Sequence, residues 1–205
     1  MLDHLVYATP DLDAAVDDLE ARLGVRAVLG GRHPGRGTYN ALISLGADHY
    51  LEIIGPDPEQ PEVAQPRGFG LDDLTVPQLR TWAAKAPDID ARIERARVAG
   101  YDPGPALAMS RERPDGVTLA WHLTPSGQSE GGWLVPFLID WGGSPHPALT
   151  APGGVTLDSL RAEHPTPDAI RPLLAALDVA LDVDAGPEPR LIARLRTAGG
   201  VVELR

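Results

Sequence analysis

The chain of 205 residues has no cysteine. That excludes a disulfide framework, a thiolate metal site and a cysteine nucleophile, and it fits cytoplasmic residence. Basic residues are few against acidic ones, and the formal net charge is -11. A nucleic-acid binder needs a basic stripe to meet phosphates; none is visible, so no nucleic-acid partner is expected. Long apolar runs are missing too. The longest, Trp133 to Ile139, is far too short to span a bilayer, and no basic segment followed by an apolar stretch opens the chain, so neither a membrane partner nor processing is expected. A glycine-rich phosphate loop, a serine nucleophile elbow and a paired zinc motif are all absent. A small molecule is the expected ligand.

What is present reads as globular. Hydrophobic residues make up 43% and charged residues 23%, ordinary proportions for a packed domain, while abundant glycine and proline imply many turns. The chain opens with an apolar, strand-like run, residues 2–8, broken by His4, and turns at Thr9-Pro10. Leu12, Ala15, Val16, Leu19 and Leu23 then follow helical spacing, with Asp11 as the cap and Gly24 as the stop. Short strands are expected near 26–29, 38–45 and 49–54, which gives the order β-α-β-β-β. Proline-rich residues 55–66 read as a linker or surface loop.

The turn Pro10-Asp11-Leu12-Asp13-Ala14 reappears as Pro87-Asp88-Ile89-Asp90-Ala91 after a second strand-like run at 79–85. This is an internal repeat. Its helix carries Ile89, Ile93 and Ala96 on one face and stops near Gly100; strands near 106–111, 117–124 and 132–141 complete it, with Arg113-Pro114-Asp115-Gly116 as a turn. A third, shorter copy begins at Val155, with Pro167-Asp168 before a helix bearing Ile170, Leu173, Leu174 and Leu177, then strands at 190–196 and 201–205. It lacks one strand, and the acidic stretch 178–188 reads as solvated surface. The boundaries expected are 1–56, 78–145 and 153–205, within a single domain spanning 1–205.

Residues 3–12, 30–42 and Tyr50-Leu51-Glu52-Ile53-Ile54, together with Arg113-Pro114-Asp115-Gly116 and Pro136-Phe137-Leu138-Ile139-Asp140-Trp141, resemble the vicinal oxygen chelate superfamily. The resemblance is closer to its bacterial glyoxalase-like domain proteins. It implies an α+β fold of paired βαβββ modules whose curved sheets enclose a cleft, followed by the short third β-α-β-β unit. It implies metal ligands on the first and last strands of each module, hence a divalent metal ion on His4 and Glu52. Aligning Pro87 with Pro10 puts Thr81 where His4 stands, and threonine is a poor ligand for a catalytic ion. Asp140 is the candidate opposite Glu52, with His122 on the preceding strand as a further contributor.

Two readings of the His4/Glu52 pair stand side by side: ligands at an active site, or buried polar groups that satisfy each other by a hydrogen bond. His33, Arg36 and Asn40 lie in a glycine-rich segment that would let a ligand approach the backbone, or form an ordinary hairpin loop. Trp121 and His122 are candidate substrate contacts. All four tryptophans fall in the second module, where they floor a pocket or pack the core. By resemblance, Glu52 or Asp140 would move a proton next to a substrate carbonyl polarised by the metal, the work of a lyase or isomerase. Oxygen-dependent ring cleavage is equally compatible. The rival is a metal-free binding protein that sequesters a drug or metabolite; a homodimer is implied by resemblance alone.

Overall fold

The computed structural model describes residues 1–113, 115–127 and 131–205. Pro114 of the expected Arg113-to-Gly116 turn lies outside the described residues. Twelve strands and three α-helices are described: β1 (Leu2–Ala8), α1 (Leu12–Leu23), β2 (Val28–His33), β3 (Thr38–Ser44), β4 (Tyr50–Pro56), β5 (Gln78–Lys85), α2 (Ile89–Val98), β6 (Leu107–Glu112), β7 (Thr118–Leu123), β8 (Phe137–Asp140), β9 (Thr156–His164), α3 (Pro167–Ala176), β10 (Asp182–Ala185), β11 (Arg190–Thr197) and β12 (Gly200–Leu204). None of the described helices is long and apolar enough to cross a membrane.

The first two modules share one eight-stranded sheet, ordered β2-β3-β4-β1-β5-β8-β7-β6. In each module the first strand pairs in parallel with the last, β1 with β4 and β5 with β8, and the antiparallel pair β1/β5 joins the halves. Period-two alternation divides the sheet's faces. Leu5, Tyr7, Leu51 and Ile53 join the helix-side core with Leu12, Val16 and Leu19 of α1, whereas Val6, Ala8 and Ile54 face the other way, with Phe137 and Ile139. Helix α1 begins where Asp11 accepts from the Ala14 N–H and ends at Gly24 in the left-handed region, as capping chemistry dictates.

Strand β2 is longer than its apolar residues suggest, because Gly30 and Gly31 belong to it rather than to a turn. A Cβ on Gly30 would collide with the Asn40 side chain; one on Gly31, at φ 144°, would stand 2.6 Å from the Glu112 carbonyl oxygen. These glycines therefore mark close approach. The Gly31–Glu112 approach brings β2 and β6, the two ends of the sheet, together and curls it nearly closed.

The C-terminal unit forms a separate four-stranded sheet, β10-β9-β11-β12. It has one strand more than the sequence suggested, since β10 lies inside the acidic stretch and buries only Val183. Its topology also differs from the first two modules: β9 pairs in parallel with β10, the next strand after the helix, and antiparallel with β11. The unit shares the helix-side core through Ile170, Leu174, Leu191 and Leu195. Arg92 of α2 donates to the Leu177 carbonyl at 2.7 Å, and the Leu79 N–H donates to the Arg205 carbonyl at 2.8 Å.

Candidate functional site

The curled sheet encloses a cavity of about 550 Å³ walled by both modules and by residues 65–70 of the linker. His4 lines it, packed in parallel against Tyr50, with ring centroids 4.5 Å apart, and edge-on to Phe137. His4 Nε2 stands 3.7 Å from a Glu52 carboxylate oxygen. The other Glu52 oxygen accepts from the Asn40 amide. Burial lifts the Tyr50 phenol well above its ordinary range, so it remains a hydrogen-bond donor.

Asp3 fixes the histidine from behind. A register shift between Leu2 and His4 in the β1/β5 ladder breaks the alternation and turns Asp3 to the His4 side. Asp3 accepts from His4 Nδ1 at 2.8 Å, from the Trp141 indole at 3.2 Å and from His146 Nε2 at 3.2 Å. Burial alone would raise its carboxyl, but the hydrogen bonds from His146 and His4 hold it well below the usual carboxylate range. With Nδ1 donating to Asp3, the Nε2 lone pair of His4 is left toward Glu52 and the cavity.

The expected substrate-contact residues His33, Arg36, Asn40 and Trp121 all line the cavity. His33, at the end of β2, lies 2.9 Å from the Thr38 hydroxyl; burial pushes its imidazole down to about 4, so it is neutral near pH 7. His122 and Asp140 stand elsewhere. On β7 alternation sends Leu119 and Trp121 inward and leaves His122 exposed on the outer face. The Asp140 carboxylate accepts from the Asp88 N–H at 3.2 Å and the Gly142 N–H at 2.8 Å. It thus braces the entrance of α2, where Asp88 sits at φ 61° and makes no side-chain cap of its own.

Backbone hydrogen bonds fix which second-module residues match His4 and Glu52. The Thr9 N–H donates to the Ile54 carbonyl, and the Ala86 N–H to the Ile139 carbonyl. Stepping back equally in both modules matches His4 with Thr81 and Glu52 with Phe137, not with Asp140. The Thr81 hydroxyl is buried without a hydrogen-bond partner. Two strong donors are half of a four-donor shell, and among the described residues no group of three or more His, Asp or Glu side chains is placed to hold an ion. This donor set does not fit a catalytic divalent metal.

Of the four tryptophans, Trp133 and Trp141 join Trp121 on the cavity wall, while Trp82 packs on the helix side, donating to the Leu134 carbonyl at 2.9 Å. Other cavity residues gave no sequence signal. Phe69, from the linker, is held at φ 62°; Arg80 donates to its carbonyl at 3.0 Å and lies 4.2 Å over the Trp133 ring. A non-glycine residue in that region is strained and persists only where neighbours hold it. Leu107, Met109 and Arg111 reach inward from alternate positions of β6. A charged edge strand looks solvent-exposed in sequence, yet Arg111 is only 3% exposed.

A family model described as glyoxalase-like domain matches residues 2–177. Nothing among curated proteins matches the chain. Among solved structures, a hypothetical protein from Staphylococcus aureus is 13% identical with a TM-score of 0.71, over 98% of this chain and 97% of that one. Streptomyces coelicolor methylmalonyl-CoA epimerase, in a variant bound to 2-nitronate-propionyl-CoA, is 20% identical with a TM-score of 0.48, over 72% of this chain and 98% of that one. The Mycobacterium tuberculosis methylmalonyl-CoA epimerase is 21% identical with a TM-score of 0.45, over 69% and 87%. At 13% identity the likeness to the Staphylococcus aureus protein is one of fold.

Proposed function

The chain belongs to the glyoxalase-like domain family, and on that premise we propose that its cavity binds a small organic molecule and that His4 and Glu52 move a proton next to a carbonyl of that molecule without a metal between them. The observation that carries this reading is the His4–Glu52 pair, 3.7 Å apart in the cavity, set against Thr81 and Phe137 at the matching second-module positions. A complete metal shell is therefore not the basis of the chemistry.

Each residue has a separate task. Asp3 holds the imidazole so that Nε2 faces the substrate and takes a proton from the carbon beside the carbonyl. Glu52, in reach of the same nitrogen, passes a proton within the pair, so removal and return occur on one face of the substrate. Tyr50 and neutral His33 offer donors or acceptors without adding charge. Both His4 and Glu52 are buried, which strengthens the interaction between them. Paired proton transfer of this kind is worth roughly a factor of 10²–10⁴ in rate.

The test is hydrogen–deuterium exchange in D₂O, followed by NMR, at the carbon beside the carbonyl in a panel of 2-oxo and 2-hydroxy acids and their amides. Wild-type protein should exchange at least one compound at a rate that excess EDTA leaves unchanged. His4→Ala and Glu52→Gln, shown to be folded by circular dichroism, should each lose about 100-fold. Exchange no faster than in buffer, or untouched by both substitutions, rejects the proton-transfer role. A binding protein that only sequesters its ligand is the second reading, favoured by the aromatic wall of Trp121, Trp133, Trp141 and Phe69. It predicts binding without exchange in the same panel.

A further inference from the structure

Arg111 is the least expected group in the cavity. It is 3% exposed, its Nη1 has no hydrogen-bond partner, and it forms no hydrogen bond or ion pair with any described residue. The nearest acid on the same cavity wall, Glu52, already has one oxygen taken by Asn40 and the other facing His4. Glu52 acts on the guanidinium only through space, and a buried guanidinium with no carboxylate bonded to it is strongly unfavourable unless something else supplies that partner. Folding tolerates such a group at a binding site, where the missing partner arrives with the ligand.

The surroundings narrow that partner. Leu107 and Met109, on the same face of β6, and Trp121, opposite Met109 on β7, form an apolar bed beside the guanidinium. Arg36, exposed at the β2–β3 turn, lines the same cavity. The approach is thus locally cationic on a chain whose net charge is -11. A planar fork of N–H donors matches a carboxylate bidentately.

We propose that the cavity selects organic acids, with the ligand's carboxylate paired to Arg111 and its apolar body lying against Met109 and Trp121. The acid–base pair His4/Glu52 then faces the part of the ligand away from Arg111. Burial also pulls the guanidinium below its ordinary value, outweighing the opposite pull of Tyr50 and Glu52. This selectivity rests on the reading of the cavity as a small-molecule site but is independent of the proton-transfer step.

The test uses benzoate, 3-phenylpropanoate and 2-naphthoate, each beside its neutral amide, titrated into the full chain with tryptophan fluorescence and melting temperature as readouts. At least one carboxylate should bind wild type about tenfold more tightly than its amide, and Arg111→Met should reduce that preference to about threefold or less. Ligand-free Arg111→Met should also melt about 3 °C higher, because replacing an unpaired buried charge with an apolar side chain of similar length is stabilising. Arg111→Lys, keeping charge without the fork, should retain only part of the preference. The proposal is overturned if no carboxylate is preferred, including the case in which none binds, if Arg111→Met keeps the preference, or if Arg111→Met melts lower than wild type. Carboxylate-selective binding with no deuterium exchange would remove the proton-transfer reading and leave this one standing; exchange on the amides with no carboxylate preference would do the reverse.

Discussion

Asp3 and His4 are consecutive on a β-strand, yet their side chains meet, with His4 Nδ1 2.8 Å from an Asp3 carboxylate oxygen. Regular alternation would set them on opposite faces; the bulge in β1 brings them together. A carboxylate that orients an imidazole in this way is a device for fixing which nitrogen faces the ligand.

Asp3→Asn tests that role. Three donors converge on a carboxylate that is 1% exposed, and weakening a buried charged partner should cost about 3 kcal/mol in urea unfolding. The pH dependence carries its own sign. Asp3 titrates lower in the folded protein than in the unfolded chain, so its contribution is present above the unfolded carboxylate value near 4 and is lost as pH falls from there toward its lower folded value. Asn at this position should flatten that acid limb of the stability curve; an unchanged limb would remove Asp3 as its source.

His33 shapes a different window. Its folded value is pushed down to about 4 from an ordinary 6.5, so below 6.5 the unfolded chain takes up a proton that the folded one refuses. The His33 contribution should make stability fall by about 3 kcal/mol as pH drops from 6.5 to 4, and should add no further slope below that. Chemical denaturation of wild type and His33→Gln across that range should show the slope in the first protein and not in the second.

Gly31 holds the seam between the sheet's two ends. With φ 144° and 2.6 Å from a built Cβ to the Glu112 carbonyl oxygen, Gly31→Ala should destabilise by about 2 kcal/mol. It should also raise hydrogen exchange at β2 and β6 before the rest of the sheet. The same substitution at Gly35, where nothing lies within 4 Å but φ is 71°, should cost only the smaller conformational term of about 1 kcal/mol.

Local patterns were legible wherever one short-range rule governed the outcome. Leu12, Ala15, Val16, Leu19 and Leu23 are all buried on α1, between the Asp11 cap and Gly24. The repeated Pro-Asp turn found the second module, although its cap chemistry differs: Asp11 caps with its own side chain, while Asp88 leans on Asp140. That dependence explains why Asp140, a cavity candidate by motif, is absent from the cavity wall. Strand β10 escaped notice because Asp182, Asp184 and Ala185 are exposed and only Val183 faces the core, which leaves too short an apolar pattern to distinguish from a loop.

The sequence by itself determined the βαβββ repeat and the threonine at the position matching His4, because hydrophobic period, capping residues and turn chemistry act over a few neighbours; a place for His4 and Glu52 in a cleft came only from the family resemblance. Only the tertiary structure decided which groups share the cavity. The bulge that turns Asp3, the alternation that turns His122 away, the register that sets Phe137 opposite Glu52, and the curl that buries Arg111 all depend on pairing between strands far apart in the chain. A one-residue shift in such pairing exchanges the faces of a strand, so the chemistry of this cavity was written in long-range register rather than in motif.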